Sequence, residues 1–416
     1  MIAPVRALAL SGPEPAASFF WAVYETGLPA KFNIILPGAL KRLSDRLKIT
    51  IRDVARAAGV SVTSVSRHLN GRISLPDSTA LKIEQAAARL GYRPNAIARR
   101  LTRGSSETLG LITSDIAYPL FAAIASASEA EAARHGYNLL MLNSRNLVDH
   151  ELAFLARIED HQVDGILLLT NHSDDGRLVK CINRTGGVVL LDEDVPGARA
   201  PRLFARNADG ARMATSHLIE KGHRRIGAIA GPHGLLSTTE RLSGYAEALE
   251  AAGMAVDNRL VIHCDYDENQ AVGAFKELFE QPDPPTAVFT CGDMLALGAM
   301  RAARGMGLRI PEDVSLIGFD DISNADLLSP ALTTVRQSPA EFGRRGVAML
   351  LDLITGRKTE AVTERIGVEF VVRASVAPPS GRRQRRSASN TGSEPPIGGL
   401  APAREEVTEN QDSRRT

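Results

Sequence analysis

From Leu109 onward the chain alternates short aliphatic runs with amphipathic stretches, and this alternation limits the possible folds more than any other feature of the sequence. The runs are Leu109–Thr113, Tyr137–Leu142, Ile166–Thr170, Val188–Asp192, Ile226–Ala230, Thr286–Thr290 and Val314–Phe319. Between them lie helical patterns at Phe121–His135, Ala208–Lys221, Glu240–Ala252, Met294–Met306 and Ala340–Ile354. Continuous aliphatic strands separated by helices imply parallel, doubly wound α/β sheets with both faces covered. There are more units than one compact sheet holds, so two similar lobes are expected.

Ligands of such sheets bind beyond the carboxyl ends of the strands. Ser114 and Asp115 follow the first run, and Asp192 ends Val188–Asp192. Ser237 and Arg241 follow Ile226–Gly231, Tyr266 follows Leu260–Cys264, Gly292 and Asp293 follow Thr286–Cys291, and Asp320 follows Val314–Phe319. Carboxylates and an arginine exchange hydrogen bonds with hydroxyls, and an aromatic face covers a sugar's C–H patch, so this set suits a polyol. Plainer readings compete: Asp293 as a helix cap, Asp321 as a turn residue, Asp115 as support for the first loop, and Arg241 in a helix-face ion pair.

A net charge of +1 conceals a division. Residues 41–103 carry 14 lysines and arginines against 4 acids, whereas 104–377 carry 26 against 37. A small basic module therefore precedes a large acidic one, which points to a polyanion partner for the module alone. Within it, Thr50 can cap a helix with Asp53 three residues on, and Ile51, Val54, Ala55 and Ala58 share one face. Gly59 ends that helix, and Ser61 caps a second in which Val65 and Leu69 face inward. A third runs from about Asp77 to Leu90, with Ile83, Ala87 and Leu90 on one side. Two short helices joined by a tight turn and braced by a third form a helix-turn-helix. The first turn of the second helix exposes Val62 and Thr63, and Arg67 lies on the same face. Thr63 can hydrogen-bond a base edge, Val62 can touch a thymine methyl, and Arg67 can bind guanine bidentately. Ser61, Ser64, Ser66 and Asn70 are candidate phosphate contacts.

The segment Asn95–Leu101 is too short to hold a helix alone. Ala98 and Leu101 share a face with two arginines between them, the composition of a minor-groove wedge that folds on DNA; a plain linker is the alternative.

The run Thr50-Ile51-Arg52-Asp53-Val54-Ala55-Arg56-Ala57-Ala58-Gly59-Val60-Ser61, then Val65-Ser66-Arg67-His68-Leu69-Asn70 and Gly91-Tyr92-Arg93-Pro94-Asn95, resembles the lactose/galactose repressor (LacI/GalR) family over roughly residues 48–377. The resemblance implies a helix-turn-helix DNA-binding domain joined to a two-lobed, periplasmic-binding-protein-like sensor. It makes Val62 and Thr63 the operator-selecting pair and Leu101 the hinge wedge, with Thr50, Tyr92 and Asn95 added to the DNA-binding set. Gly231-Pro232 and Arg241-Leu242-Ser243-Gly244-Tyr245 resemble the segment whose arginine binds effector, and Ile317-Gly318-Phe319-Asp320-Asp321 the segment whose first aspartate accepts effector hydroxyls. Asp192 and Tyr266 align with other pocket positions and Phe121 with an aromatic at its mouth. Leu332-Thr333-Thr334-Val335-Arg336-Gln337 looks like a crossover between lobes, and Gln337 joins the effector set. Two departures stand out. Gly292 replaces the Asn of many sugar-binding members, and Leu235 replaces the Arg of the purine-responsive member, which argues against a purine effector.

The expected partition is 48–93 for the helix-turn-helix, 94–104 for a hinge helix, 105–206 with 337–362 for the first lobe, and 207–336 with 363–377 for the second. Residues 1–47 are either a disordered extension or the product of a start codon placed too far upstream. The tail 378–416 lacks a core pattern and reads as disordered. It has no leucine heptads, which favours a dimer over a coiled-coil tetramer. No run approaches the roughly 20 apolar residues of a membrane span, and no secretory signal is evident. Cys181, Cys264 and Cys291 have no metal-ligand or disulfide spacing, so a reducing cytoplasm, at the nucleoid, is expected. No cofactor, metal or catalytic constellation emerges; His217 and His223 flank a helix end and read as structural. A sugar carrier or an enzyme on the same fold are the rivals, and neither accounts for the basic module. The expectation is a homodimeric regulator, a repressor, that binds a pseudo-palindromic operator and responds to a small molecule, a sugar.

Overall fold

A computed structural model describes residues 49–69, 73–92, 105–357 and 361–380. They fall into two compact units divided at Gly104 and Ser105.

The described residues of the first unit hold three helices: α1 (Ile51–Ala58), α2 (Val62–Leu69) and α3 (Asp77–Leu90). The Asp53 carboxylate accepts from the Thr50 N–H at 3.0 Å and the Thr50 hydroxyl at 2.7 Å, which closes the start of α1 and lowers the Asp53 pKa. Gly59 sits at φ 68°, a left-handed turn that costs a glycine little and lets α2 begin three residues later. Ser61 Oγ then accepts the Ser64 N–H at 3.0 Å. The core is small: Val54, Ala55, Val65, Ile83 and Ala86 are buried, with Ile51, Leu69, Leu90 and Tyr92 packed around them.

The second unit carries two parallel sheets. The first has the order β11-β5-β4-β3-β1-β2, from β1 (Thr108–Thr113), β2 (Asn138–Asn143), β3 (Gly165–Leu169), β4 (Val188–Leu191), β5 (Arg202–Ala205) and β11 (Thr363–Ile366). The second has the order β7-β6-β8-β9, from β6 (Ile226–Ala230), β7 (Val261–His263), β8 (Ala287–Thr290) and β9 (Ser315–Ile317). Every residue of β1, β3, β4, β6 and β8 is buried, which is why these strands are continuous aliphatic runs. Helices α4 (Pro119–Arg134), α5 (Val148–Glu159), α6 (Arg177–Thr185) and α11 (Pro339–Ile354) serve the first lobe. Helices α7 (Asn207–Glu220), α8 (Leu236–Ala251), α9 (Glu268–Glu280) and α10 (Asp293–Gly305) serve the second.

The chain crosses between lobes three times: after β5, between β10 (Thr334–Arg336) and α11, and between β11 and β12 (Glu369–Val371). The crossings are stitched together, since β11 pairs with β5, the Arg206 N–H donates to the Ile366 carbonyl at 2.9 Å, and β10 pairs antiparallel with β12. One expected boundary is corrected. The sequence pattern places residues 363–366 in the second lobe, yet β11 is an edge strand of the first lobe's sheet. Thr-Glu-Arg-Ile has one aliphatic residue and alternate burial, so it lacks the hydrophobic signature of the central strands. Its place is set by backbone pairing and by the Arg345–Glu364 ion pair, while Arg365 reaches Glu240 on α8 of the other lobe. Among the described residues no helix is long and apolar enough to cross a membrane.

Candidate functional site

The carboxyl ends of both sheets face a cleft of about 270 Å³, lined by Tyr118, Leu120, Phe121, Asn171, Asp192, Glu193, Ser237, Arg241, Tyr266 and Asp320. Leu191 is the last residue of β4, so Asp192 stands just past the strand, at φ 66°. Asp320 follows β9 at φ 117°. Two cleft carboxylates thus occupy backbone conformations that non-glycine residues seldom adopt, a strain of order 1–3 kcal/mol each that functional sites commonly store.

Arg241 is 3% exposed and firmly held. Its Nε donates to Asn207 Oδ1 at 2.9 Å, its Nη1 donates to the Cys291 carbonyl at 2.6 Å, and its guanidinium lies 3.9 Å above the Phe319 ring. Nη1 lies 3.9 Å from Asp320 Oδ1. Asp320 is otherwise satisfied by neutral donors, Gln337 Nε2 at 2.8 Å and the Tyr118 hydroxyl at 2.8 Å. The Tyr118 bond crosses between lobes. A second link does the same: Glu193, beyond β4, accepts the Leu236 N–H at 2.8 Å and the Ser237 N–H and hydroxyl at the start of α8. A carboxylate at a helix N-terminus is favoured by the unpaired amides and the helix dipole. The Tyr266 hydroxyl lies 3.3 Å from both Ser237 and Thr238. Burial raises the pKa of Asp192, Glu193 and Asp320; neighbouring carboxylates raise the first two further, while Arg241 pulls all three down.

Of the expected effector residues, the fold brings Phe121, Asp192, Ser237, Arg241, Tyr266 and Asp320 to the cleft wall. Gln337 acts one bond behind it, on Asp320. A Cβ at Gly292 would lie 3.2 Å from the Tyr118 hydroxyl and 3.3 Å from the Tyr266 ring, so these two tyrosines fill the space an Asn there would need. Ser114 is buried with an unpartnered hydroxyl and does not line the cleft. Asp115 is exposed and accepts the Ala117 N–H at 2.9 Å, a local turn away from the cleft. Asp293 is fully buried, and accepts from the Thr334 hydroxyl and the Ile322 N–H. His223 is spent on Thr286, Ser315 and the Ala377 carbonyl. Sequence reasoning missed Tyr118, Asn171 and Glu193. The strand-end rule covers two of them, because Asn171 lies two residues past β3 and Glu193 two past β4.

In the basic unit, Val62, Thr63 and Arg67 are exposed together on α2, while Val65 on its opposite face is buried. Ser61 and Ser64 bond each other at 2.8 Å as part of the helix start, and Ser66 is half-buried. Thr50 is exposed. Tyr92 is half-buried against the core. Asn70, Asn95, Ala98 and Leu101, like residues 1–48 and 381–416, lie outside the described residues.

Known proteins share both parts. Residues 50–95 match the model of "bacterial regulatory proteins, lacI family", and residues 215–376 that of a "periplasmic binding protein-like domain". The HTH-type transcriptional repressor PurR of Edwardsiella ictaluri (strain 93-146) is 35% identical over 330 residues, 79% of this chain and 97% of that protein. A transcriptional regulator CelR–cellobiose complex superimposes with a TM-score of 0.61 at 35% identity, over 79% of this chain and 99% of that one. A lac repressor dimer bound to operator and the anti-inducer ONPF gives 0.71 at 27% identity over the same shares. The chain belongs to the lacI family of bacterial regulatory proteins, as a DNA-binding transcriptional repressor with a helix-turn-helix reader and an effector-binding sensor.

Proposed function

We propose that this repressor controls genes of sugar transport or catabolism, binds a pseudo-palindromic operator as a homodimer, and takes a sugar or sugar derivative into the interlobe cleft. The observation that carries the reading is the convergence of Arg241, Asp192 and Asp320 with Tyr118 and Tyr266 on one small cavity. Charged groups that give and accept hydrogen bonds, beside aromatic faces, are what a polyol requires. The cellobiose named in the CelR complex agrees with that chemistry. Val62, Thr63 and Arg67 are the base-reading residues, and two copies of α2 would enter successive major grooves. The sensor acts on DNA only through a difference in effector affinity between its two states.

The test begins with selection of an operator from random duplexes by the full chain. Fluorescence anisotropy on that operator then follows release or tightening across a panel of mono- and disaccharides. A saturable shift with one sugar is expected. Failure to enrich any sequence would overturn the reader assignment, and an operator affinity indifferent to every sugar would overturn the sugar.

A further inference from the structure

The cleft holds more negative charge than the polyol reading needs. Asp192, Glu193 and Asp320 line it against one cation, Arg241. Glu193 is placed by its bonds to the start of α8, so the nearest ready-made anion site in the cleft is already occupied by a side chain. Asp320 has Gln337, Tyr118 and the more distant Arg241. Asp192 differs from both. It is 6% exposed, it faces the cleft, and its Oδ1 has no hydrogen-bond partner among the described residues.

We propose that the ligand of this cleft is an amino-bearing polyol, an amino sugar, whose ammonium is received by Asp192 while its hydroxyls engage Arg241 and Asp320. The proposal rests on the polyol reading above and narrows it. A buried carboxylate with an empty lone pair is costly; Arg241 offsets part of its charge, and a ligand hydroxyl would fill the lone pair but leave the rest. An ammonium brings three donors and the compensating charge together. Tyr118 and Tyr266 line the same space, and aromatic rings favour a cation. A phosphorylated or carboxylated sugar would instead press a fourth negative group into the cleft.

Calorimetric titration of the full chain near neutral pH tests this with matched probes. Each of D-glucosamine, D-galactosamine and D-mannosamine is compared with its neutral parent sugar, with D-glucose 6-phosphate and with putrescine. At least one amino sugar should bind about tenfold or more tightly than its parent, with no heat from the phosphate. Asp192→Asn should bring that ratio close to one. The wild-type comparison stands by itself if this variant fails to fold. A neutral parent or the sugar phosphate binding as tightly as its amino partner would overturn the ammonium and leave the polyol reading intact. Putrescine binding without any sugar would overturn both, as would silence from the whole set.

Discussion

Arg241 and Asp320 share a site almost free of solvent, at 3% exposure each. Arg241→Ala and Asp320→Ala should each abolish the effector response while operator affinity without effector stays within about twofold, because neither residue belongs to the reader unit. Anisotropy titrations with and without effector check this; a variant that still responds at the wild-type effector concentration removes that residue from the ligand contacts. Asp293 makes a different prediction. Burial, helped by Asp320, raises its pKa from 3.8 to about 8. The folded chain therefore holds this proton more tightly than the unfolded chain. The resulting stability is fully present below about pH 4 and is lost as pH rises through about 8. Asn keeps an oxygen to accept from the Ile322 N–H, and its amide can meet the Thr334 hydroxyl once that hydroxyl turns to accept. Asp293→Asn should flatten the decline of the thermal midpoint between about pH 5 and pH 8, followed by calorimetry; an unchanged decline would show that Asp293 ionises normally. The residues legible in the sequence were those that follow a strong strand directly, such as Asp192 and Asp320. Tyr118 was not, because it lies five residues past β1 on a connecting loop and reaches Asp320 only through the second lobe.

At the scale of elements, the reader depends on very little material. Five buried side chains hold three helices together, and Ile83 is the largest of them. Ile83→Ala should cost about 2–5 kcal/mol, enough to unfold so small a unit and end DNA binding, while the sensor keeps its own melting transition. A single unchanged transition in calorimetry would contradict that independence. On the exposed face, exchanging Val62 and Thr63 for other residues should alter the selected operator, and Arg67→Ala should weaken specific binding by about 1–3 kcal/mol per half-site. An identical consensus after the exchange would take the pair out of base reading. The helices of this unit were readable because caps and periodicity agree: Thr50 with Asp53, Ser61 with Ser64, and glycines at both helix ends. In the sensor the buried strands were readable for the reason that β11 was not. Hydrophobic runs report burial, and β11 has no fully buried residue to produce one.

For the sensor as a whole, the hydrogen-bonded links that join the lobes include Tyr118 to Asp320, Glu193 to the first turn of α8, and Ser173 to the His233 carbonyl. Tyr118→Phe removes one of them and should shift the lobes toward opening by roughly 1–3 kcal/mol, as expected for a hydrogen bond to a charged group. Hydrogen exchange reads this directly: the Leu236 and Ser237 amides, held by Glu193 of the other lobe, should exchange faster in the variant without ligand. Equal rates would show that the Tyr118 link carries no closure energy.

The three stitched crossings have a mechanical consequence. A single tether would leave one lobe free to swing, twist and slide against the other. Three short spans fastened side by side act like the knuckles of a door hinge: they remove sliding and twisting and leave swing about one line. Ligand energy is then delivered as one angle and is not dissipated among several motions. Adding a residue to one span alone, at Gly367 for example, would set it out of step with its two neighbours, so the pivot would bind where a lengthened lone linker would loosen.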